Sequence, residues 1–299
     1  MVDNNILDML DNLNIFRVRV YLRGKERNRF NRYTGFAIRS LCYNIFREVE
    51  AYDPSIHDIN IPKPFSVTPL MEKDGDIVKA RFFEVGKEPY FDIILNIDIV
   101  PIKLFRDFFS EGREIRLDEN EFIVVGVEIL NTQFNKLYKF DGDIPEKFVL
   151  DFYTPTSFRY EIVHTYFSET ANTFTFITNK SRYTVQHLYP EPKYLIRSIL
   201  KTLRDIYSIK LEEEDIFEIL EYIINGNLLI SRINNMKTIP LRNPPYRGFT
   251  GIFEYMFRDI SKYGEVANTI YRLIRFGEIF GVGMGRTMGM GRYKVLTNP

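Results

Sequence analysis

The sequence predicts an α+β protein made of two units that share one element order. Three observations predict it. Hydrophobic periodicity switches between two residues and about 3.6 residues in the order strand, helix, strands, helix, strand. That order occurs twice along the 299 residues, in outline and without residue-level repetition. A turn-forming segment, Asp141-Gly142-Asp143-Ile144-Pro145, separates the two runs. This is the order of a ferredoxin-like unit, so the expected architecture is tandem ferredoxin-like (RRM-like) domains, residues 1–142 and 143–299, the second carrying a glycine-rich loop at 281–291.

The first unit opens with strict alternation over residues 14 to 23. Phe16, Val18, Val20 and Leu22 fall on one face and Arg17, Arg19, Tyr21 and Arg23 on the other, a half-buried strand with a basic open face. Residues 33–49 then place Phe36, Ile38, Leu41, Cys42, Ile45 and Val49 at helical intervals, with Arg39, Tyr43 and Arg47 along another side. Strand-like runs at 64–71, 77–85 and 88–97, a helix near 101–111 and a β-rich stretch at 121–130 complete the unit. The second unit reads as strands at 148–154 and 173–178, helices at 192–207 and 213–224, strands at 227–234 and 249–257, a helix at 261–275, and a last strand at 291–296.

Lys plus Arg and Asp plus Glu both number 40, so net charge makes no case for a polyanionic partner and any basic surface must be local. Two local excesses stand out. Between Arg17 and Arg32 there are seven bases and one acid, and residues 232–299 hold eleven bases and four acids. Aromatic residues, among them Tyr21, Phe30, Tyr33, Tyr246, Phe249 and Tyr293, lie among these bases, and rings beside phosphate-binding arginines are a common way to hold single-stranded RNA. The offsetting acids Glu212, Glu213, Glu214 and Asp215 suit a helix start. One cysteine, Cys42, excludes an internal disulfide and a multi-cysteine metal centre. The amino terminus is acidic where a signal peptide needs positive charge, and no apolar run reaches the roughly 18 residues of a membrane span. A cytoplasmic protein with no membrane partner is expected.

The most specific local signal is G-x-G-x5-G-x-G at Gly281, Gly283, Gly289 and Gly291, with Arg286 and Arg292 inside and beside it. Glycine lets the backbone take positive φ and approach a phosphate closely. A nucleotide-binding loop follows a strand and opens a helix, whereas this one follows a helix and runs into Tyr293-Lys294-Val295-Leu296.

This loop, with Lys63-Pro64-Phe65-Ser66-Val67-Thr68-Pro69-Leu70 and Thr154-Pro155-Thr156-Ser157-Phe158, resembles the RAMP-superfamily endoribonucleases that process CRISPR precursor RNA. The resemblance implies the tandem fold, repeat RNA as substrate in precursor and processed form, subunits of an interference complex as further partners, a monomer or homodimer, and cleavage without metal or other cofactor. Archaeal relatives use a tyrosine on the first helix, a histidine beyond it and a lysine before the next strand. Tyr43, His57 and Lys63 stand in that order here. His57 would transfer protons, since an imidazole is available in both forms near neutrality. Lys63 would stabilise charge on the phosphorane, and Tyr43 would orient the attacking 2′-OH. Arg17, Arg19, Arg23, Arg39, Arg286, Arg292 and the four loop glycines are the expected RNA contacts. His164 and His187 have no metal-ligand spacing and read as structural or surface residues. The rival expectation is a RAMP subunit that holds guide RNA without cutting it.

Overall fold

The computed structural model describes residues 5–26, 28–30, 32–47, 63, 65–72, 82–83, 86–95, 102–138, 144–170, 173–207, 209, 212–241 and 246–296. His57 and residues 141–143 of the expected domain boundary lie outside them.

A short helix α1 (Asn5–Asp11) precedes strand β1 (Asn14–Gly24), followed by β2 (Asn28–Arg29), α2 (Gly35–Arg47), β3 (Phe65–Val67), β4 (Phe82–Phe83), β5 (Tyr90–Leu95), α3 (Ile102–Phe108), β6 (Glu114–Leu117) and β7 (Asn120–Gln133). The one-turn helix α4 (Phe134–Leu137) leads to β8 (Lys147–Thr156). A hairpin of β9 (Phe158–Thr170) and β10 (Thr173–His187), helices α5 (Pro192–Tyr207) and α6 (Glu213–Ile224), strands β11 (Leu228–Leu241) and β12 (Tyr246–Phe257), helix α7 (Ile260–Phe280) and β13 (Tyr293–Leu296) complete the chain.

The first sheet has the order β3-β5-β1-β7-β6 and the second β11-β12-β8-β13, both with antiparallel neighbours. Leaving out β6, both read second, third, first, fourth, the strand order that two crossover helices impose on a ferredoxin-like unit. The predicted fold class is therefore the observed one. Helices α5 and α6 coincide with the runs expected at 192–207 and 213–224. Of the run expected at 77–85, only Phe82 and Phe83 are described. The hairpin β9–β10 extends well beyond the single strand expected at 173–178.

Burial follows the alternation. Phe16, Val18, Val20 and Leu22 are fully buried and pack with Ala37, Ile38, Leu41 and Ile45 of α2 in one core. A second core lies between β8, β11, β12 and β13 on one side and α5, α6 and α7 on the other. Residues Ile6, Leu10, Leu13 and Ile15, from the amino-terminal end, belong to this second core. A third, small cluster of Phe36, Leu241, Met288 and Met290 joins α2, β11 and the glycine-rich loop. Among the described residues, no helix is long and apolar enough to cross a membrane.

Candidate functional site

The glycine-rich loop is wedged between the two sheets, and both sequence stretches singled out with it line the wedge. Five of its glycines, at 281, 283, 285, 289 and 291, have φ between 71° and 77°, a region costly for any residue with a Cβ. A Cβ on Gly283 would strike the Ser157 carbonyl, and one on Gly289 would lie 2.6 Å from the Pro69 nitrogen. Met284 N donates to Ser157 O at 2.8 Å, Gly291 N to Pro155 O at 3.0 Å and Arg292 N to Thr154 Oγ1 at 2.6 Å. On the other side Tyr33 Oη donates to Gly289 O at 2.8 Å, and Ser66 Oγ donates to Phe280 O at 2.6 Å. The positive φ angles let the chain turn N–H groups to Ser157 and Pro155 on one side and the Gly289 carbonyl to Tyr33 on the other.

Two expected RNA contacts in this loop, buried Arg292 and half-buried Arg286, donate to the protein itself. Arg292 is 2% exposed; its Nε and Nη2 donate to Val67 O at 3.1 and 2.8 Å, its Nη2 to Ser66 Oγ at 3.0 Å, and its Nη1 to Ile279 O. Arg286 donates from Nη1 to Phe65 O at 3.4 Å and from Nη2 to Lys63 O at 3.3 Å. Desolvation lowers both pKa values, that of Arg286 to about 10, which leaves Arg286 cationic at neutral pH. Among the described residues neither is ion-paired, and their charge is answered by carbonyl dipoles.

Next to this wedge, α2 presents half-buried Arg39 and Tyr43 one turn apart, at the edge of its buried face. Arg39 Nη2 donates to Tyr43 Oη at 3.4 Å and the guanidinium lies 5.2 Å from the ring centroid, while Arg39 Nε is buried without a partner among the described residues. The Tyr43 ring packs edge-on against Phe65 at 5.7 Å. Tyr43 with Arg39 on α2, the Lys63 carbonyl before β3 and Arg286 of the loop thus gather around Phe65. The position of the third expected catalytic residue, His57, lies outside the described residues.

The basic open face of β1 is corrected by the sheet order. Arg19 lies opposite Asp92 of β5 and holds its carboxylate through two bonds of 2.7 and 3.0 Å, 4.2 Å over the Tyr90 ring. Arg23 pairs with Glu88, Lys25 with Glu114 and Glu121, and Arg32 with Asp118. Acids distant in sequence thus pair with four of the seven bases of this stretch. Arg17, opposite Ile94 and Leu130, has no acidic partner among the described residues. It lines a cavity of about 250 Å³ between the two sheets, with Tyr138, Tyr153 and Lys294 on its walls. Of the aromatic residues counted among the bases, Phe30, Phe249 and Tyr293 are core. The side chain of His187 packs beside Tyr194, 4.6 Å between rings, at the foot of the β9–β10 hairpin.

Sequence reasoning missed Asp92 and Ser66, because what matters about each is a partner in another element. No metal-binding cluster of His, Cys, Asp and Glu occurs among the described residues.

Residues 150–293 match the family model described as CRISPR-associated endoribonuclease Cas6. The resemblance drawn from the glycine-rich loop is borne out by that match. Among solved structures, a Cas6 product complex superposes with TM-score 0.66 at 21% identity, covering 95% of this chain and 100% of the other. A second Cas6 product complex gives TM-score 0.67 at 16% identity over 94% and 100%. Thermus thermophilus Cas6 gives 0.60 at 17% identity over 94% and 98%. A search of curated protein sequences finds no match.

Proposed function

We propose that this chain, Cas6-like in fold and matched to that family over residues 150–293, is an endoribonuclease that cuts the repeat RNA of CRISPR precursor transcripts to give guide RNAs. The observation that carries the reading is the placement of Tyr43, its neighbour Arg39 and the Lys63 backbone around Phe65, against half-buried Arg286 of the glycine-rich loop. A polyanion gains most where positive charge is held in a partly desolvated wall with a hydroxyl beside it.

In the proposed reaction the 2′-OH beside the scissile phosphate attacks phosphorus, and the 5′-oxygen of the next nucleotide leaves. One proton is lost from the 2′-OH and one is taken up by the leaving oxygen. The products are a 2′,3′-cyclic phosphate and a 5′-OH, with no water, metal or other cofactor consumed. His57 serves as general acid or base, Lys63 stabilises charge on the non-bridging oxygens, and Tyr43 orients the nucleophile. Arg39, stacked on Tyr43 with a spare buried donor, contacts the phosphate. Arg17 and the tyrosines of the cavity between the sheets hold the flanking strand.

The test is a single-turnover assay with a CRISPR repeat RNA in EDTA, run beside the same RNA carrying one deoxyribose at the cut. Cleavage of the first alone, ending in a cyclic phosphate, is expected. His57→Ala should slow it about a hundredfold while Kd stays nearly constant. Scission of the deoxy substrate, or a need for magnesium, would overturn the mechanism. Tight binding with no cut would instead mark a subunit that only holds guide RNA.

A further inference from the structure

Strand β3 is the terminal strand of the first sheet, paired with β5 on one edge only. Its outer edge presents backbone carbonyls at every second residue, and a buried carbonyl without a donor is costly. Three such carbonyls, of Lys63, Phe65 and Val67, all accept from arginines of the glycine-rich loop. Arg286 takes the first two at 3.3 and 3.4 Å, and Arg292 takes the third at 2.8 Å through Nη2. The loop therefore stands where a further strand would pair, with two guanidinium groups in place of its amides.

The two arginines are not equivalent. Arg292 is sealed among Val67, Ser66 and Ile279 and bolts the loop to the first sheet. Arg286 reaches further along the strand edge, to the residue carrying the ammonium assigned above and to the residue whose ring meets Tyr43. We infer that Arg286 is a positioning residue for the cleavage reaction: it sets the backbone of Lys63 and Phe65 against α2 and makes no contact with the RNA. This rests on the proposed roles of Tyr43 and Lys63. It departs from the expectation that Arg286 is a phosphate ligand, because both of its described donor bonds go to main-chain carbonyls of the protein.

Two readouts test it. Hydrogen–deuterium exchange without RNA should speed up in the peptide spanning Lys63 to Met71 of Arg286→Ala, with α6 unchanged. At saturating repeat RNA the same variant should cut about tenfold more slowly or worse, with Kd within about twofold and an unchanged salt dependence of binding. Added guanidinium ion should restore part of the rate. Arg286→Lys, which keeps the cation but can reach fewer carbonyls, should fall between the two proteins. Weaker affinity with a shallower salt slope and a normal rate at saturation would return Arg286 to the RNA and overturn the inference. So would unchanged exchange at residues 63–71. If the unmodified chain cuts no repeat RNA, the proposed reaction fails, and the exchange experiment then decides the clamp by itself.

Discussion

Arg17 and Arg19 stand two residues apart on the same face of β1, yet they offer different things to an anion. Arg19 is committed to the buried carboxylate of Asp92, so the pair is neutral outward, whereas Arg17 has Ile94 and Leu130 opposite and cavity beside it. Neutralising a phosphate releases counterions, and each such contact adds about 0.7 to 0.9 to the logarithmic salt slope of binding. Arg17→Ala should lower the slope by about that amount in anisotropy titrations across salt. Arg19→Ala should leave the slope as it is and destabilise the fold by about 3 kcal/mol in denaturant melts, because Asp92 stays buried without its partner. Equal slopes lost in both variants would sink this distinction. The sequence displayed both arginines; only the register of β1 against β5 separates them.

At the level of elements, the glycine-rich loop carries the strictest requirement. Gly291 has φ of 74°, and a Cβ there would be driven into the carbonyl of Val282. Gly291→Ala should cost about 2 to 4 kcal/mol, from backbone strain and displacement of the loop. Gly264, early in α7, has open space where its Cβ would go. It follows a kink at Tyr263 and has no positive φ, so alanine there should stabilise the protein by about 0.4 to 1 kcal/mol through the lower entropy of the unfolded chain. Denaturant midpoints of the two variants moving in the same direction would contradict this account. The spacing of these glycines was plain in the sequence, and so was the association with Lys63–Leu70 and Thr154–Phe158. Why the three belong together was not, since both of those stretches lie more than 120 residues from the loop and periodicity reports only neighbours in sequence.

Over the whole molecule, the halves are joined at more than the loop. Helix α1 precedes the first sheet in sequence but buries Ile6 and Leu10 in the core of the second. Leu10 is fully buried, so Leu10→Ala should cost about 2 to 5 kcal/mol. The loss should appear as faster amide exchange in α7, which α1 packs against, with α2 little affected; exchange rising only in the first sheet would refute it. By itself the sequence determined the α+β class, the places of β1, α5, α6 and α7, and the glycine pattern, because alternation, helical spacing and positive φ are properties of consecutive residues. Tertiary structure alone decided which cations remain unpaired, where the loop arginines spend their donors, and which core receives α1. Those outcomes depend on sheet order and on the docking of distant segments, and a guanidinium of unchanged sequence context binds RNA, a carboxylate or a bare strand edge according to what the fold sets opposite it.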